Sequence, residues 1–166
     1  DHATVHLMRG VFQAHDQESF SIHAYSYGPD DGSAYRKAVR ASCDQFVDIS
    51  LLNNKEAANI IHRDGIDILV DLKGYTRHNR LGICAQRPAP IQASYLGFPG
   101  TSGAEFFDYI VTDKIVTPPE MQACLSENVV YLPHTYQCND NTQKQVDKNA
   151  KNHSELMNKF SFLFCS

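Results

Sequence analysis

The chain has 166 residues, long enough for one domain with a real core, and a net charge of −4 with 42% hydrophobic and 20% charged residues. That acidic balance argues against a general nucleic-acid binder, which needs a basic surface for phosphate. No apolar run approaches the roughly 18 residues of a membrane span, and the first residues do not read as a signal peptide, so a cytoplasmic protein is expected. The five cysteines (Cys43, Cys84, Cys124, Cys138 and Cys165) are odd in number and scattered, without a CxxC pair. They suit neither a disulfide framework nor a zinc site, and read as buried thiols.

In chain order, Val5, Met8, Val11 and Phe12 fall at three- and four-residue spacing and predict a helix over residues 4–15. Residues 20–27 alternate and are rich in aromatics, as in a strand, and Gly28-Pro29-Asp30-Asp31-Gly32 ends it. A helix over 33–43 and a short strand over 46–49 follow. The next helix, 55–63, has Asn54 as its expected N-cap and Gly65 where a left-handed residue is wanted. Residues 66–72 are nearly continuously apolar, as expected of a strand covered on both faces. A helix over 77–86 is stopped by Arg87-Pro88-Ala89-Pro90, and a strand over 91–96 runs into Gly97-Phe98-Pro99-Gly100-Thr101-Ser102-Gly103. A strand over 109–113 precedes Thr117-Pro118-Pro119-Glu120, a helix-start signature with a capping Thr and Pro at the first position. The strand at 129–132 ends at Pro133-His134-Thr135-Tyr136, and 139–159 reads as a polar linker.

Such alternation predicts a doubly wound parallel α/β sheet, because adjacent parallel strands need crossover connections. Ligands of these sheets sit outside the carboxyl ends of the strands. Four clusters fall at predicted strand ends or at the amino terminus: His2 with Thr4 and His6, residues 71–76, the Gly97–Gly103 loop, and 133–136. The glycines permit close backbone approach, and a helix starting after the loop would offer N–H groups to an anion; a plain turn without ligand is the alternative. His2 and His6 share a helical face but lack the HExxH glutamate and an evident third metal ligand. Asp71 could bind a sugar hydroxyl or hold its own loop. No Walker loop, dinucleotide GxGxxG or nucleophile elbow is present.

The runs Asp71-Leu72-Lys73-Gly74-Tyr75-Thr76, Arg87-Pro88-Ala89-Pro90-Ile91-Gln92-Ala93 and Leu96-Gly97-Phe98-Pro99-Gly100-Thr101-Ser102-Gly103 closely resemble the catalytic region of O-linked N-acetylglucosamine transferases and the SPINDLY-type branch. The opening His2-Ala3-Thr4-Val5-His6-Leu7-Met8, then residues 108–113 and 131–135, extend the likeness in the same order. The resemblance implies a Rossmann-like amino-terminal lobe of a GT-B glycosyltransferase over residues 1–138. It also implies a linker over 139–159 and the first strand of a second lobe over 160–166. It implies inverting transfer of N-acetylglucosamine from UDP-N-acetylglucosamine to Ser or Thr hydroxyls of proteins, without a required metal or other cofactor.

By the same resemblance His2 is the catalytic histidine, Thr4 belongs to the substrate-binding segment, and Leu96, Gly97 and Pro99 line the donor-sugar pocket. Ala3 stands where the family usually has proline. The nucleotide would be held by a carboxy-terminal lobe that this sequence lacks, and tetratricopeptide repeats are expected upstream. On that reading the chain alone does not transfer sugar. Two other readings compete: a protein O-fucosyltransferase of SPINDLY type using GDP-fucose, suggested by Asp71-Leu72 with Leu81-Gly82, and a non-catalytic Rossmann-like binding module.

Overall fold

The computed structural model describes residues 3–140. The expected linker beyond 140 and the expected strand at 160–166 lie outside them, as does His2. The elements are α1 (Ala3–Ala14), β1 (His23–Ser26), α2 (Ala34–Ser42), β2 (Gln45–Asp48), α3 (Asn54–Arg63), β3 (Ile68–Asp71), α4 (Leu81–Cys84), β4 (Ile91–Tyr95), β5 (Tyr109–Thr112), a 3-10 helix (Pro119–Cys124) and β6 (Asn128–Tyr131). All strand pairings are parallel. They form a two-stranded sheet, β1-β2, and a four-stranded sheet, β3-β4-β5-β6.

Helices lie on both sides. Ala24, Phe46, Ser26 and Asp48 share one face of the small sheet. There α2 packs, its Arg36 lying over the Phe46 ring and bonding Ser26 Oγ and Asp48. The opposite face, through Tyr25 and Val47, meets Ala57, Ala58 and Ile61 of α3 together with Ile49 and Ile83. Leu69 of β3 joins that same cluster, so α3 straddles the two sheets. α1 packs beside α2. Right-handed crossovers with helices on opposite faces step in opposite directions. The strand order is therefore β2-β1 on one side and β3-β4-β5-β6 on the other, with the unpaired edges of β1 and β3 toward each other. The doubly wound expectation holds.

Local chemistry explains most boundaries, and several expectations are corrected. Gly65 has φ +69°, as anticipated, whereas Ser33, expected inside α2, is its cap and accepts from the Arg36 N–H. The cap of α3 is Asn53 rather than Asn54, because Asn53 and Glu56 form a reciprocal capping box. The helix expected over 77–86 shrinks to the four residues of α4. β3 is not covered on both faces: Ile68 and Val70 are 56% and 42% exposed, since no described element packs on their side. Thr117 does not cap a helix. Its hydroxyl pairs with Thr112 Oγ1 at 2.9 Å, and the segment that follows winds as a 3-10 helix behind Pro118.

The asymmetry of the large sheet is testable. Ile61→Ala, at a position 1% exposed, is expected to lower unfolding free energy by about 2–5 kcal/mol. Ile68→Ala, on the bare face, should cost well under about 1 kcal/mol. Urea titration of the chain checks both.

Candidate functional site

The carboxyl ends of β3, β4 and β5 gather three of the four sequence clusters. β4 ends at Tyr95, and Leu96 turns the chain with φ +64°, a left-handed conformation unusual for leucine that costs about 1–3 kcal/mol. Gly97 then lies against the end of β3. A Cβ on it would stand 2.5 Å from both the Leu72 carbonyl oxygen and the Lys73 Cα, so only glycine fits. Gly74, with φ +53°, answers in kind, since its Cβ would meet that of Phe98 at 2.5 Å. Phe98 stands edge-on to Tyr75 with ring centroids 5.7 Å apart, and the Tyr75 hydroxyl donates to the Ser102 carbonyl at 2.6 Å. Residues 71–76 and 97–103 are thus one packed unit.

The second half of the loop is tied to the start of β6. Glu127 is only 5% exposed, and its two oxygens accept from Thr101 Oγ1 (2.7 Å), Ser126 Oγ (3.0 Å), the Ser102 N–H (2.7 Å) and the Ser102 hydroxyl. Burial works against its charge, but the hydrogen bonds from Ser102, Thr101 and Ser126 outweigh it and hold the carboxyl below the ordinary glutamate value. Asp71 is the opposite case. Burial raises its carboxyl above the usual range, against the bond it accepts from the Gly74 N–H at 2.5 Å. Asp71 therefore holds the turn 71–74, the structural one of its two expected roles.

No helix follows the loop, so the anticipated helix-start anion site does not form: residues 104–107 make a short turn into β5. Four of the loop's six amides, those of Gly97, Gly100, Ser102 and Gly103, are occupied as well. Gly97 N–H donates to the Tyr95 carbonyl, Gly100 to Phe98, Ser102 to Glu127, Gly103 to Thr101 Oγ1 and Ala104 to Ser102 Oγ. With these donors used and a carboxylate bound to the loop, it is not a phosphate cradle. What it offers is a shaped apolar wall. Leu96, Phe98 and Pro99, with Ser94, Thr112 and Tyr136, border a cavity of about 100 Å³.

The 133–136 segment reaches the same edge. Tyr95 Oη donates to the Tyr136 carbonyl at 2.6 Å, and the Tyr136 N–H donates to Asp113 at 2.7 Å. A more open hollow of about 520 Å³ lies alongside, between Asp113–Ile115 and Tyr131–His134. Thr4 is half-buried in the first turn of α1. One turn later α1 meets this segment, where the Cys138 thiol lies 3.4 Å from Met8 Sδ. His6 packs its ring against Tyr35 of α2, with centroids 4.1 Å apart. Sequence reasoning missed Glu127, Tyr75 and Tyr95 as organisers of the loop. Glu127 stands 25 residues from Ser102, and only the polar run Ser126-Glu127-Asn128 before an apolar strand hinted at it.

Comparison with known proteins points in one direction. The profile of glycosyl transferase family 41 matches residues 1–159. A probable UDP-N-acetylglucosamine–peptide N-acetylglucosaminyltransferase SEC of Arabidopsis thaliana is 42% identical over 147 residues, 89% of this chain and 15% of that protein. The UDP-N-acetylglucosamine–peptide N-acetylglucosaminyltransferase of Caenorhabditis elegans is 40% identical, over 86% of this chain and 12% of its own length. The probable enzyme SPINDLY of Arabidopsis thaliana is 33% identical over 82% of the chain. A solved mutant of the Thermobaculum terrenum O-GlcNAc transferase superposes with a TM-score of 0.78 at 34% identity, covering 82% of this chain and 26% of that one. The chain thus spans about an eighth to a seventh of the length of these curated relatives.

Two outcomes test the geometry. Gly97→Ala should destabilise the chain by about 1–3 kcal/mol through overpacking against backbone. Gly28→Ala, whose Cβ meets nothing within 4 Å, should change stability by less than about 0.5 kcal/mol in the same urea titration. For Glu127 the folded carboxyl titrates below its unfolded value of 4.5, so its stabilisation is complete above that pH and lost as pH falls through the lower folded value. The stability gap between the wild type and Glu127→Gln should accordingly be constant from pH 8 to about 5 and shrink below about 4 in acid titrations.

Proposed function

The chain belongs to glycosyl transferase family 41, and from that membership we propose that the protein it forms part of is an inverting glycosyltransferase. It moves N-acetylglucosamine from UDP-N-acetylglucosamine to Ser or Thr hydroxyls of proteins. The observation that carries this reading is the edge where Leu96, Gly97 and Pro99 stand in one packed loop, Leu96 and Pro99 bordering a cavity and most of the loop's amides already bonded. A wall of that kind suits a sugar ring and not a diphosphate. The names of the relatives support UDP-N-acetylglucosamine as the donor.

In this reaction the acceptor oxygen attacks the anomeric carbon on the face opposite the nucleotide, and the bond to the diphosphate oxygen breaks as the new one forms. The hydroxyl proton leaves toward a base, and the departing diphosphate needs positive charge or aimed N–H groups. We assign the proton path to His2 with Thr4 beside it, on their place in the family's motif, and the donor-sugar wall to Leu96, Gly97 and Pro99. We assign the nucleotide grip to a carboxy-terminal lobe facing this edge, since the loop 97–103 presents few free donors to a diphosphate. No metal or cofactor is required in this scheme.

The gap between β1 and β3 supports the view that this chain is part of a larger lobe. A strand preceding α1, placed between those edges, would make a right-handed crossover through α1 onto β1, in step with β1-α2-β2. It would complete the sheet at the switch point where such sheets bind ligands. The domain reading is then an amino-terminal lobe over 1–138, a linker over 139–159 and the start of the second lobe at 160–166, with tetratricopeptide repeats upstream. No helix among the described residues is long and apolar enough to cross a membrane. The thiols of Cys43, Cys84, Cys124 and Cys138 are free, and burial pushes that of Cys84 up to about 12. We place the protein in the reducing cytoplasm on that basis.

Full-length protein incubated with a Ser/Thr peptide is expected to transfer N-acetylglucosamine from UDP-N-acetylglucosamine and nothing from GDP-fucose, with the 166 residues alone inactive. His2→Ala should lower kcat/KM by about 10²–10⁴-fold with the fold unchanged. Transfer from GDP-fucose would establish the SPINDLY-type alternative, and no transfer from either donor the non-catalytic one. Unchanged activity of His2→Ala would remove that residue from the mechanism.

A further inference from the structure

We propose that Glu127 is a positioning residue for the donor sugar: by gathering Thr101, Ser102 and Ser126 it locks the far end of the glycine loop, so that Leu96, Gly97 and Pro99 keep the shape of the sugar pocket. The inference rests on the glycosyltransferase reading of this edge.

The loop is held at two points, and Pro99-Gly100 spans between them. At its near end Gly97 is wedged against Leu72 and Lys73, and Phe98 against Gly74 and Tyr75. At its far end nearly every polar bond leads to Glu127 or to a group that Glu127 holds. Thr101 Oγ1, besides donating to Glu127, accepts from the Gly103 and Ser126 N–H groups at 3.1 and 3.2 Å. Ser102 Oγ donates to the same carboxylate and accepts from Ala104 N–H. Removing Glu127 therefore frees three hydroxyls and one amide at once and loosens the amides those hydroxyls orient. The one independent tie is the Tyr75 hydroxyl on the Ser102 carbonyl.

A carboxylate is the group this position calls for. The four protein groups around it are three hydroxyls and one N–H, all pointing protons inward, and an ionised carboxylate has about four lone-pair sites and no proton. Glutamine would fit the space but present an N–H₂ to two of those donors, forcing them to turn away. An apolar contact between β6 and the loop would hold the two together but would not orient these hydroxyls. What a carboxylate provides is a fixed direction for Thr101 and Ser102, and through them for the turn carrying Pro99. Leu96 is strained by its left-handed φ, and a strained residue keeps its conformation only where its surroundings over-determine it.

The test uses the full-length protein with UDP-N-acetylglucosamine and a Ser/Thr peptide. Glu127→Ala is expected to raise the donor KM about tenfold, with kcat within threefold and the peptide KM unchanged. Glu127→Gln should raise the donor KM about threefold. In both, amide exchange of residues 98–104 should accelerate while exchange in β3 and β4 stays as in the wild type. A purely structural glutamate would lower the melting temperature and the active fraction but leave the donor KM alone, because KM does not depend on how much enzyme is folded. That outcome overturns the proposal, as does unchanged exchange in the loop. Should Glu127→Ala fail to fold, Ser102→Ala replaces it, with the same donor-KM rise expected. If the wild type transfers no sugar, the glycosyltransferase reading fails and the donor role with it. The exchange data then separately decide whether Glu127 clamps the loop.

Discussion

Everything at the carboxyl edge depends on one backbone-to-backbone contact. Gly97 lies so close to Leu72 and Lys73 that no side chain can stand between them, and the ends of β3 and β4 are thereby joined beyond the last ladder hydrogen bond. From that contact follow the left-handed turn at Leu96, the seating of Phe98 over Gly74, and the path of the loop toward β6. The remaining interactions fix the loop's shape. Tyr75 and Glu127 take its polar groups, and Tyr95 and Asp113 bring the 133–136 segment to the same edge. The result is a surface built before any ligand arrives, which is what selective binding of a reacting group needs.

Electrostatics sharpen the role of that surface. The loop is bound to the buried carboxylate of Glu127 and has most of its amides internally bonded, so it is a poor host for a diphosphate. The same features do not disfavour a neutral sugar ring lying on Leu96 and Pro99. On the proposed reading, the charge a diphosphate needs comes from other residues. Among the described residues β1 and β3 each leave one edge without a partner, and Ile68 and Val70 lie bare.

Much of this was legible in the sequence. The alternation of aromatic and apolar residues located every strand to within a few positions, and periodicity located α1, α2 and α3. Gly65 was readable because its role is local. What failed had non-local causes. The threonine of Thr117-Pro118-Pro119-Glu120 was taken up by Thr112, a residue of the neighbouring strand, so the expected α-helical start became a 3-10 helix. The apolar run through β3 promised cover on both faces, which its own composition could not guarantee. Leu96 gave no sign of its positive φ, since nothing in a leucine announces it, and Glu127 acts across 25 residues of chain. The family motifs marked the loop as important, but only the geometry distinguishes an apolar wall from an anion cradle.

The most direct test is a crystal structure of the full-length protein with a non-hydrolysable UDP-N-acetylglucosamine analogue. The account predicts the sugar ring against Leu96, Gly97 and Pro99, with the diphosphate held by residues outside this chain and the loop amides still bonded within the protein. A diphosphate seated on the amides of Gly97–Gly103, or a sugar bound away from this edge, would contradict it.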